Sequence, residues 1–144
     1  MSAVLILQCF NKLEREISMN YLTVEPWNEP RAIFDNELDF EPMMSQEEHG
    51  FLCAMLKQKE AKKIIELGVA AGGTTAVIMA ALKILDRDSK VYSVDLSEKY
   101  YVDTRYETGY LYNRYKDKID CQSTHIFLLG KTIAEQVESE MTEG

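Results

Sequence analysis

The chain has 144 residues, which suits one domain with a single core. Its 46% apolar and 28% charged residues are typical of a globular protein, and its net charge of -8 argues against a nucleic-acid partner, because phosphate binding needs clustered Lys and Arg. No stretch approaches the roughly 20 apolar residues of a membrane span, and no basic residue precedes the apolar start as in a signal peptide. We therefore expect a cytoplasmic protein without a membrane or nucleic-acid partner.

The first 42 residues predict a helix and a connecting arm. Residues 3–19 place apolar side chains at steps of three and four, the period of an amphipathic helix that packs on its own domain or on a second copy. Residues 20–42 hold all three prolines, which break regular structure. Through Trp27, Phe34 and Phe40 this arm either attaches to the domain or forms a lid over a binding cleft.

Residues 43–144 predict an α/β domain in which strands and helices alternate. Ser45 and Glu48 have the spacing of a capping box that starts a helix ending near Lys59. Strands are predicted over residues 62–67, 90–95 and 125–129, and helices over residues 74–85, 98–117 and 132–141. This order predicts a Rossmann-like, doubly wound parallel sheet that is incomplete, with about three strands and flanking helices. Right-handed crossovers place the loops after the first two strands on one edge of the sheet.

The loop after the first of these strands carries the most informative pattern. Gly68 and Gly72 allow a sharp turn and a close approach of the backbone to a ligand. Thr74 starts a helix whose amides favour an anion, and Glu66 places a carboxylate beside the loop. Asp95 at the tip of the second strand is positioned to accept two hydrogen bonds from ribose hydroxyls. Together these residues predict a nucleoside ligand.

The spacing Glu66-x-Gly68-x-Ala70-x-Gly72 resembles the first motif of class I S-adenosylmethionine-dependent methyltransferases, and residues 91–95 resemble the second. The segment from the capping box at Ser45 to the loop at Gly68 resembles the small O-methyltransferase branches of this family, in which a helix leads directly into the cofactor loop. The resemblance implies S-adenosylmethionine as cofactor and methyl transfer to a small-molecule or glycan acceptor, with a hydroxyl as one option. It implies these cofactor-binding residues: Glu66, Gly68, Ala70, Gly72, Gly73, Thr74, Asp95 and Leu96.

The chain departs from that family because it ends after three predicted strands, before the strand whose tip often carries an acidic residue near the transfer site. We expect the cofactor half of a longer enzyme and assign no catalytic residue. A homodimer that completes its sheet and a remnant without catalysis are the alternatives. In the family's strand order, residues 64–67 would form an unpaired apolar edge that invites association.

Two further interpretations of the loop stay open. Gly68-x-Ala70-x-x-Gly73 approximates the G-x-G-x-x-G pattern of an NAD-binding Rossmann domain. However, Ala70 stands where glycine lets the pyrophosphate approach, and Glu66 adds negative charge near two phosphates. The loop can also belong to a non-catalytic nucleoside-binding or assembly module, or merely pack a strand against a helix.

The cysteines and histidines are too scattered for a disulfide framework or a metal site. Cys9, Cys53 and Cys121 form no C-x-x-C pair and lie among apolar residues. We interpret each of His49 and His125 as a histidine on a helix surface or at the end of a strand, rather than as a general base. Buried free thiols, no metal and a reducing compartment are expected.

Overall fold

The computed structural model describes residues 3–5 and 25–130 of the chain. The strands are β1 (Ala3–Leu5), β2 (Lys63–Leu67), β3 (Lys90–Asp95) and β4 (Thr124–Leu129). The helices are α1 (Glu29–Ala32), α2 (Gln46–Lys59), α3 (Gly73–Ile84) and α4 (Tyr110–Tyr115), and α4 continues as the 3₁₀ helix Lys116–Ile119. The predicted helix over residues 132–141 lies outside the described residues.

Strands β2, β3 and β4 form an open parallel sheet with β3 in the middle, flanked by helices. Ile65, Tyr92 and Ile126 are neighbours in its register. Parallel strands need a crossover connection, and α3 supplies it between β2 and β3. The prediction of an α/β chain with three parallel strands is confirmed. The carboxyl ends of β2 and β3, with the loops that follow them, therefore share one edge of the sheet.

Residues 3–5 pair with β2 in the antiparallel direction, with Ala3 opposite Leu67 and Leu5 opposite Ile65. The prediction of a helix over residues 3–19 is therefore wrong at its start, and the remainder lies outside the described residues. The expectation of an unpaired β2 edge is wrong as well. Both errors have one cause, because unpaired backbone groups along an apolar strand can be satisfied by a segment distant in sequence, and such pairing overrides local periodicity.

The described part of the arm packs against the domain through its aromatic side chains. Phe34 is 1% exposed, and its ring stacks on Phe40 with the centroids 4.5 Å apart. Both rings contact Tyr115 at the end of α4, with centroid distances of 5.8 and 6.0 Å. Of the two interpretations of the arm, these contacts support attachment to the domain.

Helix α2 begins at the predicted capping box. The amide of Glu48 donates to Ser45 Oγ at 3.2 Å, and the amide of Ser45 donates to the Glu48 carboxylate at 2.7 Å. Helix α3 is buried along residues 73–82 and packs on α1, α2 and α4. The hydrophobic core around α3 also includes Ile64 and Val91 from the sheet.

The connection after β3 is not helical, so the prediction of a helix over residues 98–117 is wrong before its last turns. Helix α4 begins only after Gly109, whose φ of +80° is left-handed. Upstream, the amide of Thr108 donates to the carbonyl of Glu98 at 3.0 Å. Turns of this kind satisfy backbone groups that a helix would have used, and helical periodicity alone does not reveal them.

Candidate functional site

The loop between β2 and α3 turns sharply and is itself buried. Gly68, Ala70 and Gly72 have φ angles of +84°, +50° and +88°, a region where glycine is unstrained and alanine is not. The loop leaves the sheet at Gly68, whose amide donates to the Val94 carbonyl at 2.8 Å. The predicted loop residues therefore converge at the carboxyl edge of β2 and β3.

Asp95 holds this loop directly. Its Oδ2 atom accepts the amides of Val69 at 2.9 Å and Ala70 at 3.1 Å, and its Oδ1 atom accepts the amide of Ser97 at 3.0 Å. A carboxylate offers about four acceptor positions, so one position on Oδ1 stays open. The sequence predicted where Asp95 lies, but not that it binds the loop itself. The expected pair of ribose hydrogen bonds reduces to one while these amides are bound.

Two of the predicted glycines are required by packing within the chain. A Cβ atom on Gly72 would lie 2.7 Å from the Cα atom of Gly109, and one on Gly73 would lie 2.9 Å from the Cα atom of Pro42. Backbone hydrogen bonds hold Gly109 close to Gly72. The Gly109 amide donates to the Ala70 carbonyl and the Leu111 amide donates to the Ala71 carbonyl, both at 2.8 Å. These glycines therefore have a structural reason that needs no ligand.

Glu66 of β2 is fully buried, and its carboxyl group lies between the first turn of α3 and strand β3. The hydroxyls of Thr75 and Ser93 both donate to its Oε2 atom, at 2.5 and 2.6 Å. Its Oε1 atom has no hydrogen-bond partner in the described part of the chain. Burial raises the pKa of Glu66 to about 7, with a smaller upward effect from the Asp95 carboxylate and a downward effect from the two hydroxyls. At neutral pH the group is therefore divided between its neutral and charged forms.

His125 extends this polar chain across the sheet. Its Nε2 atom lies 2.8 Å from Ser93 Oγ, and its ring packs on Tyr112 and Phe127 with centroids 4.5 and 4.3 Å away. Burial lowers the pKa of His125 to about 4, helped by the charge of Lys116. Sequence reasoning missed this link. The sequence feature that could have revealed this link is the pair of polar residues Ser93 and His125 within two largely apolar strands.

Thr74 joins a second network that ties the arm to the start of α3. His49 is fully buried, so the interpretation of His49 as a helix-surface residue is wrong. Its Nε2 atom lies 3.0 Å from Thr74 Oγ1, and its Nδ1 atom lies 3.1 Å from a guanidinium nitrogen of Arg31. Because a guanidinium only donates, Nδ1 accepts and Nε2 carries the proton. Burial, and then Arg31, lower the pKa of His49 to about 4.

The residue that follows Asp95 is exposed. Leu96 is 67% exposed, so its side chain is available to a ligand. The end of β4 lies beside Asp95, since the Gly130 amide donates to the Asp95 carbonyl at 3.0 Å. Asp95 Oδ1 and Leu96 are the two predicted site residues with groups free to meet a nucleoside here.

Cys53 is a buried free thiol whose pKa burial raises to about 12, and Cys121 is half-buried. Cys9 lies outside the described residues. Among residues 3–5 and 25–130, no three His, Cys, Asp or Glu side chains come close enough to hold a metal ion. The helices in these same ranges are all too short or too polar to cross a membrane.

Comparison of the chain with protein-family models, with curated proteins and with solved structures finds no match.

Proposed function

We propose that this chain is the cofactor-binding half of an S-adenosylmethionine-dependent methyltransferase with a Rossmann-like, doubly wound sheet, acting in the cytoplasm on a small-molecule or glycan acceptor. One observation carries the proposal. The carboxylate of Asp95 is hydrogen-bonded to the amides of Val69 and Ala70, so the ribose-binding acid and the loop of the first motif form one unit at the carboxyl edge. Ligands of open α/β sheets bind at such edges.

The residues present fit this cofactor. Asp95 Oδ1 has an acceptor position for one ribose hydroxyl, and exposed Leu96 beside it offers an apolar surface for adenine. Glu66, two residues before Gly68, would supply a carboxyl group to the cationic methionine portion. S-adenosylmethionine supplies a methyl group that is already activated on its sulfonium. The residues of this chain bind and orient it, which is the main protein contribution to such a transfer.

An NAD site fits less well. Ala70, which is 5% exposed, occupies the position where the pyrophosphate needs glycine. The partly ionised Glu66 would also repel two phosphates. These two features favour a cationic nucleoside over a dinucleotide.

A second candidate is a non-catalytic nucleoside-binding or assembly module. The close contact of Gly72 with Gly109, and of Gly73 with Pro42, favours it. Packing alone accounts for these glycines, so that part of the first motif is not evidence for a cofactor. The open acceptor position on Asp95 favours a nucleoside ligand over an assembly module that binds none.

A thermal-shift titration with S-adenosylmethionine, S-adenosylhomocysteine and NAD tests the proposal. A ligand at about 100 times its Kd should stabilise the native state by about 2.7 kcal/mol. We expect both sulfur nucleosides to raise the melting temperature. The ligand-induced shift, rather than the baseline, should be lost in Asp95→Ala and kept in Asp103→Ala, a matched substitution on the exposed connection after β3. Stabilisation by NAD alone would overturn the choice of cofactor, and no response to any ligand would favour an assembly module that binds no nucleoside.

A further inference from the structure

Glu66 is the one buried carboxyl group beside the candidate site in the described residues, and its two oxygens have unequal surroundings. Thr75 and Ser93 both donate to Oε2, whereas Oε1 accepts from no donor in the described part of the chain. Full ionisation would leave a charged oxygen without a hydrogen bond in a buried site, which is unfavourable. The neutral form replaces the unpaired charge by an unpaired hydroxyl, which costs less, but it offers no charge to a cation.

We propose that Glu66 is an ionisation switch: a cationic ligand at the Gly68–Ala70 turn converts its carboxyl group from the neutral to the charged form and releases a proton. The inference rests on the proposed function, because the cation is the methionine portion of S-adenosylmethionine. It adds that the site selects cationic over neutral nucleosides, and does so more strongly as the pH rises.

The groups around Glu66 allow this change without another proton transfer near neutral pH. Strand β3 contributes Ser93 and the Asp95 carboxylate, β4 contributes His125, and α3 contributes Thr75. The residue opposite Glu66 in β1 is Val4, which has no titratable group. His125 can donate from Nε2 to the Ser93 hydroxyl, which in turn donates to Glu66 Oε2.

This hydrogen-bond chain keeps Oε2 of the ionised carboxylate satisfied, so Oε1 is its oxygen without a partner in the described residues. Because burial lowers the pKa of His125 to about 4, the imidazole stays neutral above pH 6. A cation at the turn supplies the positive charge that the ionised carboxylate lacks, so binding and proton release are linked. The burial that raises the pKa of Glu66 to about 7 places this exchange near neutral pH.

The inference predicts how affinity changes with pH. Only the ionised fraction of Glu66 is competent to bind the cation, so the apparent Kd should fall about eightfold between pH 6 and pH 7.5. Close to one proton should be released for each ligand bound at pH 6, and about a quarter of a proton at pH 7.5.

Isothermal titration calorimetry of the full chain tests this, in two buffers of different ionisation enthalpy at pH 6 and pH 7.5. The ligand is S-adenosylmethionine, and the matched neutral ligand is 5′-methylthioadenosine, which lacks both the sulfonium and the amino acid. We expect proton release and an affinity gain with pH for the first ligand only. Glu66→Gln keeps the shape of the side chain and should remove both effects, whereas Glu98→Gln, on the exposed connection, should keep them.

The outcomes separate the two proposals. Binding of S-adenosylmethionine with equal affinity at both pH values and no proton release would overturn the switch and leave the proposed function standing. No binding at either pH would overturn both. Equal proton release with the neutral ligand would also overturn the switch. If Glu66→Gln does not fold, the comparison of the two ligands on the unsubstituted chain decides the question.

Discussion

Two connections meet at the carboxyl edge of the sheet, and they are built differently. The loop after β2, residues 68–72, is short and buried, and its backbone amides bind Asp95. The connection after β3, residues 96–109, is longer and mostly exposed. It is held by turns, by an ion pair between Lys99 and Glu107, and by another between Asp103 and Arg105.

The difference shows where this edge is rigidly specified. In the first loop, positive φ angles and backbone contacts leave room for few residue types. In the second connection, exposed ion pairs contribute little, because water and salt screen them. A ligand site built on the first loop is therefore sensitive to single substitutions, whereas the second connection should tolerate them. Four predictions test this comparison, in order of decreasing effect.

The largest effect is expected for Gly72→Ala. The new Cβ atom would lie 2.7 Å from the Cα atom of Gly109, and alanine would have to adopt a φ of +88°. We expect a loss of about 2–5 kcal/mol in the free energy of unfolding, because backbone strain and overpacking add. Urea denaturation measures it.

Gly130→Ala is the matched control for that substitution. It has a similar φ of +76°, but its nearest obstacle is the flexible end of the Glu98 side chain, 3.1 Å away. Only the strain of the left-handed backbone applies, so we expect about 1–2 kcal/mol. An equal loss in the two variants would show that the Gly72–Gly109 contact adds nothing.

The second prediction concerns pH. The folded pKa of Glu66 is raised from 4.5 to about 7, so the folded state binds its proton more tightly than the unfolded state. This contribution is fully present below pH 4.5 and is lost as the pH rises through 7, by about 3 kcal/mol in total at most. Urea denaturation between pH 5 and pH 8 should show the decline, and Glu66→Gln should remove it.

His49 and His125 act in the opposite sense and provide an internal check. Both have folded pKa values lowered from 6.5 to about 4, so their contribution is present above pH 6.5 and is lost as the pH falls toward 4. The loss of stability at low pH, which comes from the two histidines, should persist in Glu66→Gln. A stability profile of Glu66→Gln that matches the unsubstituted chain on the alkaline side would contradict the burial argument.

The third prediction is for Asp95→Asn. The amide nitrogen of asparagine cannot accept a hydrogen bond, so either the Val69 and Ala70 amides or the Ser97 amide would lose its acceptor. We expect a loss of about 1–3 kcal/mol, since these are hydrogen bonds to a charged group. Faster amide hydrogen exchange at Val69 and Ala70, or at Ser97, would show which amides lose their acceptor, and unchanged exchange at all three would argue against the role of Asp95 in holding the loop.

The smallest effect is expected for Asp103→Asn. Its carboxylate binds Arg105 within the exposed connection, where solvent screening makes such a pair weak. The urea midpoint should stay within measurement error of the unsubstituted chain. A shift as large as that of Asp95→Asn would show that the second connection is specified as strictly as the first.

The parts of the fold that were predicted correctly depend on local patterns. The capping box at Ser45 and Glu48, the buried strand before Gly68 and the acid at the tip of β3 each involve residues close in sequence. The missed features involve distant residues. The pairing of residues 3–5 with β2 and the burial of His49 depend on partners far along the chain.

The amino-acid sequence by itself determined the alternation of strands and helices, the turn at Gly68 and the placement of Asp95 at the same edge, because periodicity, chain direction and backbone sterics act locally. Only the tertiary structure decided which groups those residues meet. It brought Asp95 onto the loop amides, Gly109 against Gly72, and Ser93 and Thr75 onto one oxygen of Glu66. Hydrogen bonds and burial join residues that are distant in sequence, and they set the charge state of the site.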